Sequence, residues 1–467
     1  MADAAQKDAD VIWLDGHIDT VTVGDGERKQ WASGQPHVAD FIHEDGTPFE
    51  DGDIGEKFIR GKGSADQQGG YMAAFKAFLE IAGQIKKSDR KVSITMALMR
   101  NEEPAEGVAP EMAYEELRNR GYGKLKGAIS TEPSNKQIMT QQMGRFMMKI
   151  ENKNDDPAVL IKVISELAKY ERISDIATKN QPLVLVGGDT NKEYNNPTES
   201  RVAENAVASF DLNGLDRNEV GHTIQTFLDS YQSSKELVEL AGYIVEYKGN
   251  INLTVEICGQ TAHSGFPERG INAGVVMANL VQELADKHPD LEFKAARIGE
   301  GKISADKGEG VLYYDYRCDA GEEEDPEVCI NNIRAKLAET FLDQVVVITT
   351  DTHNVQWDKD IPDTMPIRQF LPAWKTDKNS PLVKLVESAI NAGLPDDKRV
   401  ETDGRQDFCT NLSGRIFRGI VKLILGAGDP GEAHNPNEKC SINEMSRICI
   451  AYQRIIRSIM MGELNEI

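Results

Sequence analysis

Cysteine is scarce in this chain and never clustered. Cys258, Cys318, Cys329, Cys409, Cys440 and Cys449 stand far apart in 467 residues with no C-x-x-C pair. That excludes a disulfide scaffold and points to free thiols in a reducing cytoplasm. No apolar run is long enough to cross a bilayer, and the first ten residues are polar and acidic rather than basic and then apolar, so no secretory leader is expected. Cations are also short: Lys and Arg total 53 against 76 Asp and Glu, a net charge of -23. Nucleic acids and anionic membranes are bound by clustered cations, so neither is expected as a partner.

What remains is the composition of a soluble globular protein, 40% hydrophobic and 28% charged, with a surface suited to a salty cytoplasm. Its length exceeds one ordinary core, and at least two domains are expected. The chain is organised around Val11-Ile12-Trp13-Leu14-Asp15-Gly16-His17-Ile18-Asp19-Thr20. An apolar run ending in Asp-Gly reads as a buried parallel strand, and open α/β sheets do their chemistry at the carboxyl ends of such strands. His17 is thereby delivered to a cleft. Asp19 has the reach to accept the other ring N–H, as carboxylates do behind metal-binding histidines.

Four more chemistry-bearing segments follow. After a polar loop to about Glu56, Gly61-Lys62-Gly63-Ser64-Ala65-Asp66-Gln67-Gln68-Gly69-Gly70 leads into an amphipathic helix over Tyr71 to Ile81. Asp66 is either the cap of that helix or a ligand. A strand over Lys91 to Met99 delivers Glu102 and Glu103, a carboxylate pair that needs a cation or proton between them. A strand from Ala128 ends at Glu132-Pro133, and a strand over Gly419 to Leu425 runs into a Gly-rich loop carrying His434, backed by a helix over Asn443 to Met461. Together these His and carboxylate side chains suit two divalent metals sharing one carboxylate.

The ordered stretches G-H-I-D-T, G-K-G-S-A-D-Q-Q-G-G, N-E-E, T-E-P, G-Q-T-A-H-S-G-F-P-E-R-G-I-N-A and A-H-N-P-N-E resemble the aminoacylase, carboxypeptidase G and desuccinylase family of dizinc metallopeptidases, from Trp13 to the C-terminus. The resemblance implies an α/β, zinc-exopeptidase-like, doubly wound mixed sheet with an inserted α+β lid. It implies two zinc ions, with cobalt or manganese as alternatives: one on His17, Asp66 and Glu132, the other on Asp66, Glu103 and His434, with Asp66 bridging. Glu102 would be the general base and Asp19 would orient His17. Two cations acidify a shared water while an unligated Glu shuttles its proton to the leaving amine.

Residues from Phe146 to about Thr352 carry none of the metal motifs, and their pattern repeats as two β-α-β-β-α-β units of the ferredoxin-like kind. The expected division is therefore 1–145, first part of the catalytic domain; 146–248 and 249–352, two tandem lid copies; and 353–467, the rest of the catalytic domain. Only the second copy carries His263, read as an oxyanion stabiliser against the alternative of a surface residue. Only the first carries Tyr194-Asn195-Asn196-Pro197, with Asn196 as the candidate lid asparagine. A tandem lid resembles the monomeric dipeptidase V group, so activity as a monomer is expected. Arg317 stands where relatives carry a carboxylate-binding arginine and is equally readable as a solvated edge residue. Asp403-Gly404-Arg405-Gln406-Asp407 is expected to be a polar loop, with Gly404 against substrate.

Relatives carry a helix-and-strand layer ahead of the G-H-x-D strand, and only ten residues precede it here, so the expectation is either a chain truncated at a misassigned start or a sheet lacking elements that normally cover one face. The leading function is hydrolysis of an amide or peptide bond next to a free carboxylate, on a small acyl-amino acid or short peptide. Glu at 132 resembles the deacylase and carboxypeptidase branch; the tandem lid resembles the dipeptidases. A noncatalytic, metal-stabilised binding protein is the competing class, disfavoured by Glu102, which a structural metal site does not need.

Overall fold

The computed structural model describes residues 10–20, 23, 25–82, 92–99, 109–152, 158–168, 184–187, 203, 205–234, 242–248, 252–260, 270–298, 301–304, 311–318, 326–342, 344–349, 352–355, 365–368, 370–371, 373–406, 410, 412 and 415–464. Strand β1 (Asp10–His17) is followed by helix α1 (Gly69–Ala82), β2 (Val92–Met99), α2 (Ala109–Asn119), β3 (Leu125–Ser130) and β4 (Ile138–Gln142). The inserted segment runs through β5 (Gly144–Asn152), α3 (Ala158–Ala168), β6 (Val184–Gly187), β7 (Asn205–Asp211), α4 (Arg217–Ser234), β8 (Gly242–Lys248) and β9 (Asn252–Cys258). It continues through α5 (Ala273–Lys287), β10 (Glu292–Ile298), β11 (Gly301–Ser304), β12 (Val311–Cys318), α6 (Pro326–Phe341) and β13 (Val345–Thr349). The chain then returns through α7 (Pro381–Asn391), β14 (Thr402–Gln406), β15 (Val421–Ile424) and α8 (Ile442–Met461).

In the catalytic sheet β1 lies between β2 and β3, parallel to both, and β15 lies parallel to β3 on its far side. Residues 11 to 17 of β1 are all buried, because both faces of the strand are covered. Ile12 and Leu14 join a core with Ala74, Ala77 and Ile81 of α1 and with Ile448, Tyr452, Ile455 and Ile459 of α8. Val11 and Trp13 face the opposite core with Leu412 and Phe417. Helix α8 buries one stripe at three- and four-residue spacing; Ser441 caps its start by accepting the Glu444 N–H at 3.1 Å, and left-handed Gly462 closes it. The Tyr452 hydroxyl donates to the Leu425 carbonyl at 2.7 Å, fixing this helix beneath the turn that leads to His434.

Several catalytic strands need pairings that no local pattern announces. β4 runs antiparallel to β15. The expected polar loop at 403–407 is corrected: Thr402–Gln406 is strand β14, parallel to β4, with register shifts on both sides of Gly404. Its polar residues reflect a strand paired on one side among the described residues, not an irregular backbone. The polar stretch before Glu56 likewise contains the short strand Asp40–Ile42, which pairs with Phe58–Arg60, and Phe58–Arg60 pairs in turn with Lys439–Ser441.

The inserted segment contains two β-α-β-β-α-β units, and among the described residues their strands pair as nested units rather than as the expected tandem copies 146–248 and 249–352. One antiparallel sheet has the order β13-β5-β12-β6 and the other β8-β9-β7-β10-β11. Numbered within each unit, both follow the order 4-1-3-2, and the second unit is nested inside the connection between β6 and β12 of the first. The helical and strand periods mark where elements are, whereas the choice of strand partner is a long-range matter that leaves no local period. One continuous apolar core, from Ile150 through Val276 and Leu280 to Ile333 and Leu337, joins the two units, and Ser165 donates to Asn279 Oδ1 at 2.6 Å between α3 and α5.

Candidate metal centre

Three segments that follow catalytic strands, and one turn before a helix, converge at the carboxyl end of the catalytic sheet. His17 ends β1, Glu132 follows β3, His434 follows β15, and Asp66 lies in a short turn over Ser64–Gln68 ahead of α1. All four are buried, none more than 5% exposed. His17 Nε2 is 3.2 Å from Asp66 Oδ1 and 3.6 Å from Glu132 Oε1. One ligand atom from each of His17, Asp66 and Glu132 lies within 4.8 Å of the others. His434 Nε2 stands 3.3 Å from Asp66 Oδ2, so each carboxylate oxygen of Asp66 faces its own imidazole.

Asp66 is therefore not a helix cap. Burial pushes its carboxyl pKa up, but hydrogen bonds and charge from His17 and His434 outweigh that and hold it well below the ordinary value. The Asp66–Gln67 peptide is cis. Gln67 is fully buried and donates from Nε2 to Glu132 Oε1, so residue 67 steers one carboxylate while residue 66 offers the other.

Tight backbone contacts fix the spacing of these elements. Cβ atoms built on Gly70 of α1 and on Gly426 after β15 would each overlap the Thr131 carbonyl oxygen, so only glycine lets both segments close on the Thr131-Glu132 backbone. His434 has φ of +60°, a left-handed conformation that costs a non-glycine residue roughly 1–3 kcal/mol. The surrounding loop holds it there: Asn435 N–H donates to the Glu432 carbonyl at 3.2 Å, and Asn435 Nδ2 donates to the Gly431 carbonyl.

The partner of His17 Nδ1 is the main-chain oxygen of Asp19 at 3.0 Å; the Asp19 Oδ1 is farther, at 3.6 Å. A carbonyl only accepts, so Nδ1 carries a proton, and Nε2, at hydrogen-bond distance from Asp66, is the nitrogen left to a metal. The orienting role assigned to Asp19 thus falls first on its backbone.

Gly404 is in β14, where it pairs with Met139, and Arg317 is in β12, opposite Arg145. Glu102, Glu103, His263 and Asn196 lie outside the described residues. Two residues of the site carried no assigned role in the sequence: Gln67 and Glu438. The Glu438 carboxylate, 1% exposed, accepts backbone N–H groups from the turn that carries Asp66, and burial pushes its carboxyl up to about 7. Nothing local to Glu438 announces that contact, since its partners are more than 370 positions away.

A buried imidazole and two buried carboxylates, with a second imidazole across the shared carboxylate, form a nitrogen-and-oxygen donor set of the kind that holds zinc. Carboxylates removed from water at this spacing are costly without a cation among them, so the residues present fit a metal. Among the described residues no helix is long and apolar enough to cross a membrane.

No curated protein sequence matches the chain. Among solved structures it is similar to an M20 family metallo-carboxypeptidase, Sso-CP2, from Sulfolobus solfataricus, at 13% identity and a TM-score of 0.48, covering 98% of this chain and 87% of that one. It is also similar to human carnosine dipeptidase 1, at 12% identity and a TM-score of 0.48, over 99% of this chain and 82% of that one. The di-peptidase Dug1p from Saccharomyces cerevisiae matches at 10% identity and a TM-score of 0.48, over 99% and 81%. The sequence model of the peptidase family M20/M25/M40 matches residues 13–458, nearly the whole chain and all four of the converging side chains. The chain accordingly belongs to the peptidase family M20/M25/M40 and is a metal-dependent hydrolase of peptide bonds.

Proposed function

We propose that the protein hydrolyses an amide or peptide bond next to a free carboxylate, as an N-acyl-amino-acid deacylase or small exopeptidase. The observation that carries this reading is the Asp66 carboxylate with a separate buried imidazole on each oxygen, the arrangement a bridging ligand requires. His17, Asp66 and Glu132 would hold one zinc ion, and Asp66, Glu103 and His434 would hold the other. Bound there, the cations supply Lewis acidity, lowering the pKa of water in the cleft and stabilising negative charge on the scissile carbonyl oxygen.

The remaining work belongs to side chains of this protein. Glu102 takes a proton from the attacking water and passes it to the leaving amine, and so must stay unligated. His263 donates to the developing oxyanion. The guanidinium of Arg317 takes the free carboxylate of the substrate in a two-pronged hydrogen bond, with Asn196 and Gly404 completing the pocket. Residues 1–145 and 353–467 form the catalytic domain around the lid.

A dipeptidase of the dipeptidase V type is the second reading, supported by the presence of two ferredoxin-like units in one chain. Hydrolysis of a panel of N-acyl-amino acids and dipeptides, with and without added zinc, separates the two. Cleavage of acyl-amino acids alone supports the first, and cleavage of dipeptides alone the second. Zinc bound with no turnover of any member would instead identify a metal-stabilised binding protein.

A further inference from the structure

We infer that Glu438 is a positioning residue for Asp66: it sets the bridging carboxylate through the main chain. The inference rests on the dizinc reading above. Residue 438 alone receives five hydrogen bonds from the segment 61–66. Its Oε1 accepts from the N–H of Ala65 at 2.8 Å and of Asp66 at 2.9 Å, and its Oε2 accepts from the N–H of Gly63 at 3.0 Å. Its carbonyl oxygen accepts from the Gly61 N–H at 3.0 Å and from the Ser64 hydroxyl at 3.0 Å.

The chemistry of that contact is specific to a carboxylate. Asp66 sits in a tight turn with non-helical dihedral angles, and the N–H groups of residues 63, 65 and 66 point into a buried region. A buried N–H left without an acceptor is destabilising. In its ionised form the Glu438 carboxyl meets these donors with two acceptor oxygens and no hydrogen of its own. A glutamine would turn an NH2 group against at least one N–H and push the turn away.

The placement is tied to the metal side of the cleft as well. Four residues before Glu438, the same loop presents His434 to Asp66 Oδ2, and immediately after it Lys439–Ser441 pairs with Phe58–Arg60, which leads into the Asp66 turn. One segment thus fixes both the backbone of Asp66 and one of the two imidazoles on its side chain. Metal sites lose function when ligands drift by more than about 0.5 Å, so a turn held by five hydrogen bonds from one residue is a means of control over the bridge.

The test combines Glu438→Gln, Glu438→Asp and Asp66→Asn with zinc stoichiometry by elemental analysis and affinity by competition with a chromophoric chelator. Circular dichroism and thermal melting of the metal-free proteins report folding. Glu438→Gln should keep the native far-UV spectrum while both zinc equivalents weaken together by roughly 10- to 100-fold. In an Asp66→Asn background the same change should lower the residual zinc affinity clearly less than it does in the wild type, because the bridging carboxylate it positions is gone. If Glu438→Gln does not fold, Glu438→Asp, which keeps the charge and shortens the reach, is read in the same way.

Unchanged zinc affinity in a folded Glu438 variant, with two zinc ions on the wild type, overturns the inference and leaves the dizinc reading standing. An equal loss with and without Asp66 also overturns it, because a purely structural prop would act in both backgrounds. Fewer than two zinc ions on the wild type overturns the dizinc reading first, and the inference with it.

Discussion

The main-chain oxygen of Asp19 stands 3.0 Å from His17 Nδ1, nearer than the carboxylate Oδ1 of the same residue at 3.6 Å. The tautomer of His17 is therefore fixed by a group that no side-chain substitution removes. Asp19→Ala should keep both metals, with zinc affinity lowered by no more than about tenfold, the lower edge of what loss of a supporting hydrogen bond does to a metal site. Chelator competition measures it. A loss beyond about 100-fold would assign the orientation of His17 to the carboxylate.

Glu102→Gln should leave two metals in place and lower turnover by roughly 10²- to 10⁴-fold, since it removes a proton shuttle and not a ligand. Elemental analysis and kinetics on the same preparation check this. Near wild-type turnover would reassign the base.

The two imidazoles on Asp66 make the metal count diagnostic. His434→Ala should lose one metal equivalent, because only the site on Asp66 Oδ2 depends on it, while Asp66→Ala should lose both. Retention of two tightly bound ions by Asp66→Ala, measured after exhaustive dialysis against chelator, rules out the bridge.

How far such a site can be read from sequence follows from the range of the interactions involved. β1 and α8 were legible because burial imprints a continuous apolar run on one and a three-to-four spacing on the other. His17, Asp66, Glu132 and His434 were legible because each sits beside a strand end or helix start marked by glycine or proline, and the structure brings these four together. The nesting of the lid units and the strand at Thr402–Gln406 were not, since both are choices of partner between distant segments. Glu438 is of the same kind: its carboxylate is functional only through amides on the other side of the chain.

Gly426 tests the packing behind the site. A methyl group there would overlap the carbonyl oxygens of Thr131 and Glu132, both backbone atoms that cannot swing aside. Gly426→Ala should destabilise the protein by about 1–3 kcal/mol, as overpacking does, and should weaken zinc binding because Glu132 is displaced with its backbone. Thermal melting with and without zinc reads both effects. A variant that melts and binds zinc as wild type does would show that the Thr131-Glu132 segment yields freely.

Two ferredoxin-like units, one nested in the other and joined by one apolar core, give this chain twice the lid material of a single β-α-β-β-α-β insertion. His263 falls in the connection between β9 and α5 of the inner unit, while the matching connection of the outer unit, between β12 and α6, carries no histidine. One histidine per chain at this connection can serve the cleft of its own chain or that of a partner. If the second unit stands in for a partner's lid, His263 serves its own cleft, and specific activity should not fall on dilution to concentrations at which weak dimers separate. Mixing His263→Ala chains with Glu102→Gln chains decides between the two: each is inactive for a different reason, and an in-chain histidine leaves the mixture inactive. Recovered activity in the mixture would mean that His263 crosses between subunits and that the protein works as a dimer.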